Sequence, residues 1–267
     1  MIKKTWNTKK LIKEKPKSKI HWRFKLYVAL AIVCIVGVVY VLRLPEYQVS
    51  KVVVEDLVLT KESDITDIAD EYLGYSYFYF VPQSNVWLYP KEKILKAVLA
   101  LPSIDDVDLY LDKDTNALHI KIKEKKHEYV WCDASNICFY MNKDGYIFAP
   151  SPTFEGNVFL TFRGLITDEP LGKNFLPKVK MNEVIGFTAE LRSIGFNVSS
   201  VNIISNREVN IVLDQGAMII VSIDGSLQDT LKNIKTLIAS EDFKNASGGI
   251  AKVQYIDMRY GKKAFWR

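Results

Sequence analysis

Leu26-Tyr27-Val28-Ala29-Leu30-Ala31-Ile32-Val33-Cys34-Ile35-Val36-Gly37-Val38-Val39-Tyr40-Val41-Leu42 runs for seventeen residues without a charge, between Lys25 and Arg43. At about 1.5 Å per residue such a helix covers roughly 25 Å of a hydrocarbon layer about 30 Å thick. It crosses a bilayer if the flanking cationic stems snorkel and Leu44 contributes. A helix apolar on every side, with Trp22 and Tyr40 near its two ends, suits lipid better than a water-soluble core. A cleaved signal peptide has a shorter apolar region and a small-x-small site, which Arg43-Leu44-Pro45-Glu46-Tyr47 does not offer. Residues 26–44 are therefore expected to be an uncleaved transmembrane helix.

The charge falls unevenly around this span. The 267-residue chain carries a net charge of +5 and is 48% hydrophobic. Ten of the 36 Lys and Arg residues and one of the 31 acids, Glu14, lie in residues 1–25, so this tail is +9 and the rest is −4. By the positive-inside rule the tail is cytoplasmic and the body lies outside the cytoplasm. A basic tail on an acidic body argues against a nucleic-acid binder.

After the span, Tyr47 to Val54 alternates as a strand. Thr60 or Ser63 is suited to cap a helix carrying Ile65, Ile68, Ala69, Tyr72 and Leu73, which Gly74 stops. The run Tyr75-Ser76-Tyr77-Phe78-Tyr79-Phe80 invites a reading as a stacking platform, but its alternation next to a helix favours packing in the core or sheet. A second helix starts near Pro90, carries Ile94, Leu95, Val98 and Leu99 on one face, and ends before Pro102. Val107, Leu109 and Leu111, a turn over Asp112 to Asn116, and Leu118, Ile120 and Ile122 form a hairpin with one apolar face. Turn preference and outward alternation explain Asp105, Asp106, Asp108, Asp112 and Asp114 without a metal.

Beyond Lys126 short strands alternate with turns: Tyr129–Trp131, Ile137–Met141, Tyr146–Phe148 and Val158–Phe162. A helix around Val184, Ile185, Thr188 and Leu191 closes at Gly195. Strands are expected near Val198–Ile204, Val209–Leu213 and Met218–Ile223, followed by a helix capped by Ser226 with Asp229 in the capping-box position. Gly248-Gly249 then breaks the chain before a last strand, Lys252–Tyr260, expected to be free at the sheet edge.

The order β-α-α-β-β directly after a membrane anchor resembles the POTRA domain of the bacterial cell-division family FtsQ/DivIB. The carrying residues are Leu101-Pro102-Ser103-Ile104-Asp105-Asp106-Val107 and Ala117-Leu118-His119-Ile120-Lys121-Ile122-Lys123-Glu124-Lys125, with Lys125 where the family usually has Arg. Met141-Asn142-Lys143-Asp144-Gly145-Tyr146-Ile147-Phe148 resembles that family's "Asp-x-x-Gly-x-Val-Phe" hairpin, with Asn142 for the first Asp. Tyr255-Ile256-Asp257-Met258-Arg259-Tyr260 resembles its last motif strand. The fold class is accordingly α+β, with a basic tail (1–25), the span (26–44), a POTRA-like domain (47–126) and a larger β-rich domain with two helices (127–267).

No G-x-S-x-G, H-E-x-x-H, P-loop or S-x-x-K pattern is present, and His21, His119 and His127 read as solvated. Cys132 and Cys138 face each other across a hairpin turn, a spacing compatible with a disulfide or with two separate thiols. No second Cys or His pair has zinc-ligand spacing. The alternatives to a binding protein are a membrane-anchored exported cell-wall enzyme using Cys132 as nucleophile with His127 as base, and a POTRA scaffold of a secretion machine. With no catalytic or metal-ligating constellation in the sequence, no enzyme activity, cofactor or metal is expected. The resemblance implies a divisome scaffold at the septum, in the inner membrane, that binds FtsB-like and FtsL-like coiled-coil proteins and other septal membrane proteins and helps regulate septal peptidoglycan synthesis. Carried onto this chain, the partner-binding residues would be Arg259, Tyr260 and, after a different intervening length, Trp266.

Overall fold

Ile20–Leu42 forms one helix, α1, longer than the uncharged run because it takes in Arg23 and Lys25. None of its residues from Trp22 to Leu42 is buried, as a helix that faces lipid requires. The computed structural model describes residues 20–267 apart from 155, 157, 167, 206 and 248–251. The basic tail up to Lys19 and the Gly248-Gly249 break lie outside the described residues.

Past Arg43 the chain does not enter a strand at Tyr47. Pro45–Tyr47 makes a single 3-10 turn, in which Tyr47 N–H donates to the Leu44 carbonyl and Gln48 N–H to that of Pro45. These groups are then unavailable to a ladder, and the first strand, β1, is Lys51–Glu55. Helix α2, Glu62–Gly74, buries Ile65, Ala69 and Leu73. Neither Thr60 nor Ser63 caps it, and Gly74 is its last residue rather than its stop. The Glu124 carboxylate instead accepts the N–H groups of Val58, Leu59 and Thr60 at 3.1, 2.8 and 2.7 Å, and the Thr60 hydroxyl is committed to Ser103 at 2.8 Å. A carboxylate more than sixty residues away in sequence thus orders the approach to the helix, using charge-assisted bonds stronger than a hydroxyl cap would make.

Ser76–Tyr77 (β2) and Val81–Pro82 (β3) form a small separate hairpin. The aromatic run expected to pack in the core or sheet enters this hairpin through Tyr77, but Phe78, Tyr79 and Phe80 are exposed rather than packed. Helix α3, Lys91–Leu99, follows Pro90 and buries Ile94 and Val98. Strands β4, Ile104–Asp112, and β5, Ala117–Glu124, pair antiparallel with Leu109 opposite Ile120. β1 joins β5 in parallel, giving the order β1-β5-β4, and α2 and α3 cover its apolar face. The acids of this hairpin bond locally: Asp105 pairs with Lys123 at 3.0 Å, and Asp112 accepts the Asp114 N–H and the Thr115 hydroxyl.

The rest of the chain builds one nine-stranded sheet. Its first strands are β6, Tyr129–Cys132; β7, Cys138–Met141; β8, Ile147–Ser151; and β9, Thr161–Gly164. After helix α4, Lys178–Ser193, come β10, Val198–Ser205; β11, Glu208–Leu213; and β12, Met218–Val221. Helix α5, Leu227–Ala239, begins with the Ser226 hydroxyl accepting the Asp229 N–H at 3.2 Å, and a third short helix, α6, Glu241–Ser247, extends it. The chain ends in β13, Tyr255–Tyr260, and β14, Lys263–Trp266. The strand order is β14-β13-β12-β11-β10-β9-β6-β7-β8, with the β6/β9, β9/β10 and β12/β13 pairs parallel. Trp131, Phe162, Phe187, Phe196, Ile219 and Phe243 form much of the core on the helix-covered face. At the β9–β10 contact, Gly164 has φ +95° and a Cβ there would lie 2.1 Å from the Ile203 carbonyl oxygen, so only glycine fits. A smaller cluster around Tyr140 and Phe148 meets Leu59, which links the two sheets.

Candidate functional site at the closing sheet edge

The closing strand of the sheet differs from the expected Lys252–Tyr260. β13 begins at Tyr255 and is not the edge, because Gly261, at φ +67°, turns the chain back into β14. β14 has no neighbour on its outer side among the described residues. Arg267 exchanges both backbone bonds with Tyr255, so antiparallel alternation points the N–H groups of Ala264 and Trp266 outward.

Asp257 pairs with Phe265 and Tyr260 with Lys263, so Met258 and Arg259 together face Ala264 in a bulge. The bulge resets the alternation and brings Tyr260 to the same side as Asp257. Tyr255, Asp257, Tyr260, Lys263 and Phe265 therefore line one shallow hollow on the face away from the helices. The Tyr260 and Phe265 rings meet edge to face at 5.5 Å, and both side chains are more than half exposed.

Below them lies an ion network. Arg259 Nη2 donates to Asp257 Oδ2 at 2.7 Å and Nε to Oδ1 at 3.0 Å, while Nη1 reaches Glu208 Oε2 on β11 at 2.9 Å. The Arg259 N–H adds a further bond to Asp257 Oδ1 at 3.1 Å. Burial alone would raise the Asp257 carboxyl, but the side-chain and backbone hydrogen bonds from Arg259 overcome it and hold the group below the usual carboxylate range. The hydrogen bond with Asp257 likewise raises Arg259. The Arg259 guanidinium lies 5.7 Å from the centre of the Tyr260 ring. Its side chain is satisfied within the sheet, so it positions Tyr260 and fixes β13 against β11.

The sequence-predicted residues thus divide. Arg259 and Tyr260 come together, while Trp266 turns to the other face and packs on Phe243 with ring centres 5.7 Å apart. Phe265 joins the hollow and was missed. Its signal was the Tyr260-Gly261-Lys262-Lys263 turn followed by a four-residue run, too short for periodicity to stand out. Cys132 and Cys138 are joined by a disulfide between adjacent strands, with Cα atoms 4.1 Å apart. His127 packs on Tyr140 at 4.7 Å, and His119 bonds Glu55 at 2.7 Å while stacking on Tyr110. Among the described residues no three His, Cys, Asp or Glu side chains are grouped to hold a metal ion.

One apolar helix long enough to cross a bilayer among the described residues, followed by a sheet-rich body with an open closing edge, fits a single-pass membrane protein of α+β class. Residues 130–259 match the family model described as cell division protein FtsQ/DivIB, C-terminal, so the chain carries a C-terminal domain of that family, a family of non-enzymatic division scaffolds. Its role is accordingly in cell division. The match ends at Arg259, so Tyr260 and β14 are known from their geometry. No curated protein matches the chain.

Proposed function

We propose that this protein is a divisome scaffold whose extracytoplasmic body captures coiled-coil membrane partners of the FtsB and FtsL kind along β14, and so helps regulate septal peptidoglycan synthesis. The observation that carries this reading is the unpaired outer edge of β14 beside the exposed pair Tyr260 and Phe265. An open edge offers main-chain hydrogen bonds to an added strand, and adjoining aromatic side chains supply the anchors that select it. The +9 tail supports a cytoplasmic N-terminus. In this reading residues 47–126 form a POTRA-like domain that recruits the protein to the septum, and residues 127–267 form the partner-binding domain.

Two variants test the edge. Tyr260→Ala with Phe265→Ala removes the anchors, and Ala264→Pro deletes an outward N–H at an edge position that accepts proline. Each should weaken capture of an FtsB-like extracytoplasmic segment by about 2 kcal/mol, roughly 30-fold, with the far-UV CD unchanged. Full-strength capture by both would place the partner elsewhere.

A further inference from the structure

The β2–β3 hairpin is the least explained part of the chain. Phe80 N–H donates to the Tyr77 carbonyl at 3.1 Å, closing a tight turn whose central residues, Phe78 and Tyr79, have φ of +49° and +65°. Positive φ at both central positions favours Asn-Gly or Asp-Gly, and bulky aromatics are poorly suited to it. Packing does not compensate, because Phe78 is 87% and Tyr79 91% exposed. Trp87, 64% exposed, stands beside this hairpin: the Tyr77 hydroxyl donates to the carbonyl of its neighbour Leu88 at 3.2 Å.

The location of the hairpin gives this display a purpose. Arg43, the first charge after the apolar run, donates from Nε to the Phe80 carbonyl at 2.7 Å and from Nη2 to that of Tyr79 at 3.3 Å. The last turn of α1 is tied to the same region, since the Leu42 carbonyl accepts from Gln48 Nε2 at 2.6 Å and from Asn85 Nδ2 at 3.0 Å. The aromatic tip is therefore within one guanidinium of the end of the apolar run, whose last turn carries the exposed side chains of Tyr40 and Val41. Aromatic side chains concentrate at this level of a bilayer, with apolar rings toward the acyl chains and polar atoms toward the headgroups.

We propose that Phe78, Tyr79 and Phe80, with Trp87, bind the phospholipid headgroup region where α1 ends, giving the body a second membrane contact that fixes its height and tilt. The proposal rests on α1 lying in the bilayer, and the test separates the two. Full-length protein carrying Cys34→Ser and Tyr79→Cys, with the Cys132–Cys138 disulfide intact, is labelled with a polarity-sensitive fluorophore. It is then reconstituted into phosphatidylethanolamine–phosphatidylglycerol vesicles doped with headgroup-level nitroxide lipid. Lys262→Cys in the same background is the control, and the native Cys34, labelled without Tyr79→Cys, reports on the span.

The position-79 probe should be quenched by the lipid nitroxide several-fold more strongly than the control, and adding Phe78→Asp should remove most of that difference. If Cys34 is shielded from aqueous iodide while the position-79 probe is quenched by it, the span stands and the second contact is overturned. A Cys34 probe exposed to iodide overturns both. A position-79 probe shielded from iodide yet untouched by lipid nitroxide places the tip against a second copy and overturns the lipid contact. Quenching that persists with Phe78→Asp means the fluorophore itself carried the tip inward, and also overturns it.

Discussion

Two hairpins of this chain display aromatic side chains, and they do so by opposite means. At β13–β14 the left-handed turn position is glycine, Gly261, and the displayed rings of Tyr260 and Phe265 stand on a strand pair anchored to seven others. Beneath them Arg259 joins Asp257 to Glu208. At β2–β3 the aromatics occupy the left-handed positions themselves, on a two-stranded ribbon that joins no larger sheet. The first hairpin gains its rigidity from the sheet and leaves its turn relaxed. The second concentrates apolar surface at its tip, and accepts an unfavourable backbone in order to do so.

The largest expected effect is on the anchored hairpin. Arg259→Glu leaves Asp257 without its donor and adds a third carboxylate beside Glu208. It should destabilise the body by about 3 kcal/mol, measured by denaturant unfolding of the detergent-solubilised full chain. Loss of partner capture in this variant would therefore report on folding, which is why Tyr260 and Phe265 are the better probes of the edge.

A smaller effect is pH-dependent. Because the folded Asp257 carboxyl is held below its unfolded value, its contribution is fully present above that unfolded value, about 4, and is lost as pH falls through the lower folded value. Wild type should be more stable than Asp257→Asn at pH 7, with the gap closing as the pH is lowered through the acid range. A gap independent of pH would show that the ion pair is not what anchors this hairpin.

The smallest effect has the opposite sign. Phe78→Asn with Tyr79→Gly suits the turn at β2–β3 and removes little packing, so it should stabilise the detergent-solubilised chain by about 1–2 kcal/mol. The gain should not change over the same pH interval, since it arises from backbone geometry. A loss of stability would mean that the aromatic tip packs within the protein, and the contrast between the hairpins would disappear.

The hairpins also differ in how far they can be read from sequence. Long alternation made β4 and β5 visible, and Ser226 marked the start of α5, because periodicity and capping act over a few residues. Tyr75–Phe80 misleads because alternation is the same for a buried strand and an exposed ribbon, and the turn lacks the Asn or Gly that would announce it. β14 is too short to signal itself, and the link from Arg259 to Glu208 on β11 joins residues 51 apart in sequence. The Glu124 carboxylate at the approach to α2 and the parallel pairing of β9 between β6 and β10 join residues far apart in sequence, beyond any local pattern. Candidate partner residues were legible as far as the motif extends, to Tyr260. Phe265 and the outward N–H groups of β14 needed the register.

The strand order bears on how the molecule is made. From β9 onward each new strand lies beside the one before it, so the sheet lengthens in one direction as the chain is synthesised, and β14, made after its neighbours, is the open margin among the described residues. Every shorter chain presents a different margin. The edge proposed for docking forms only after β14 has been made, so a copy cut short before Lys263 would not present it.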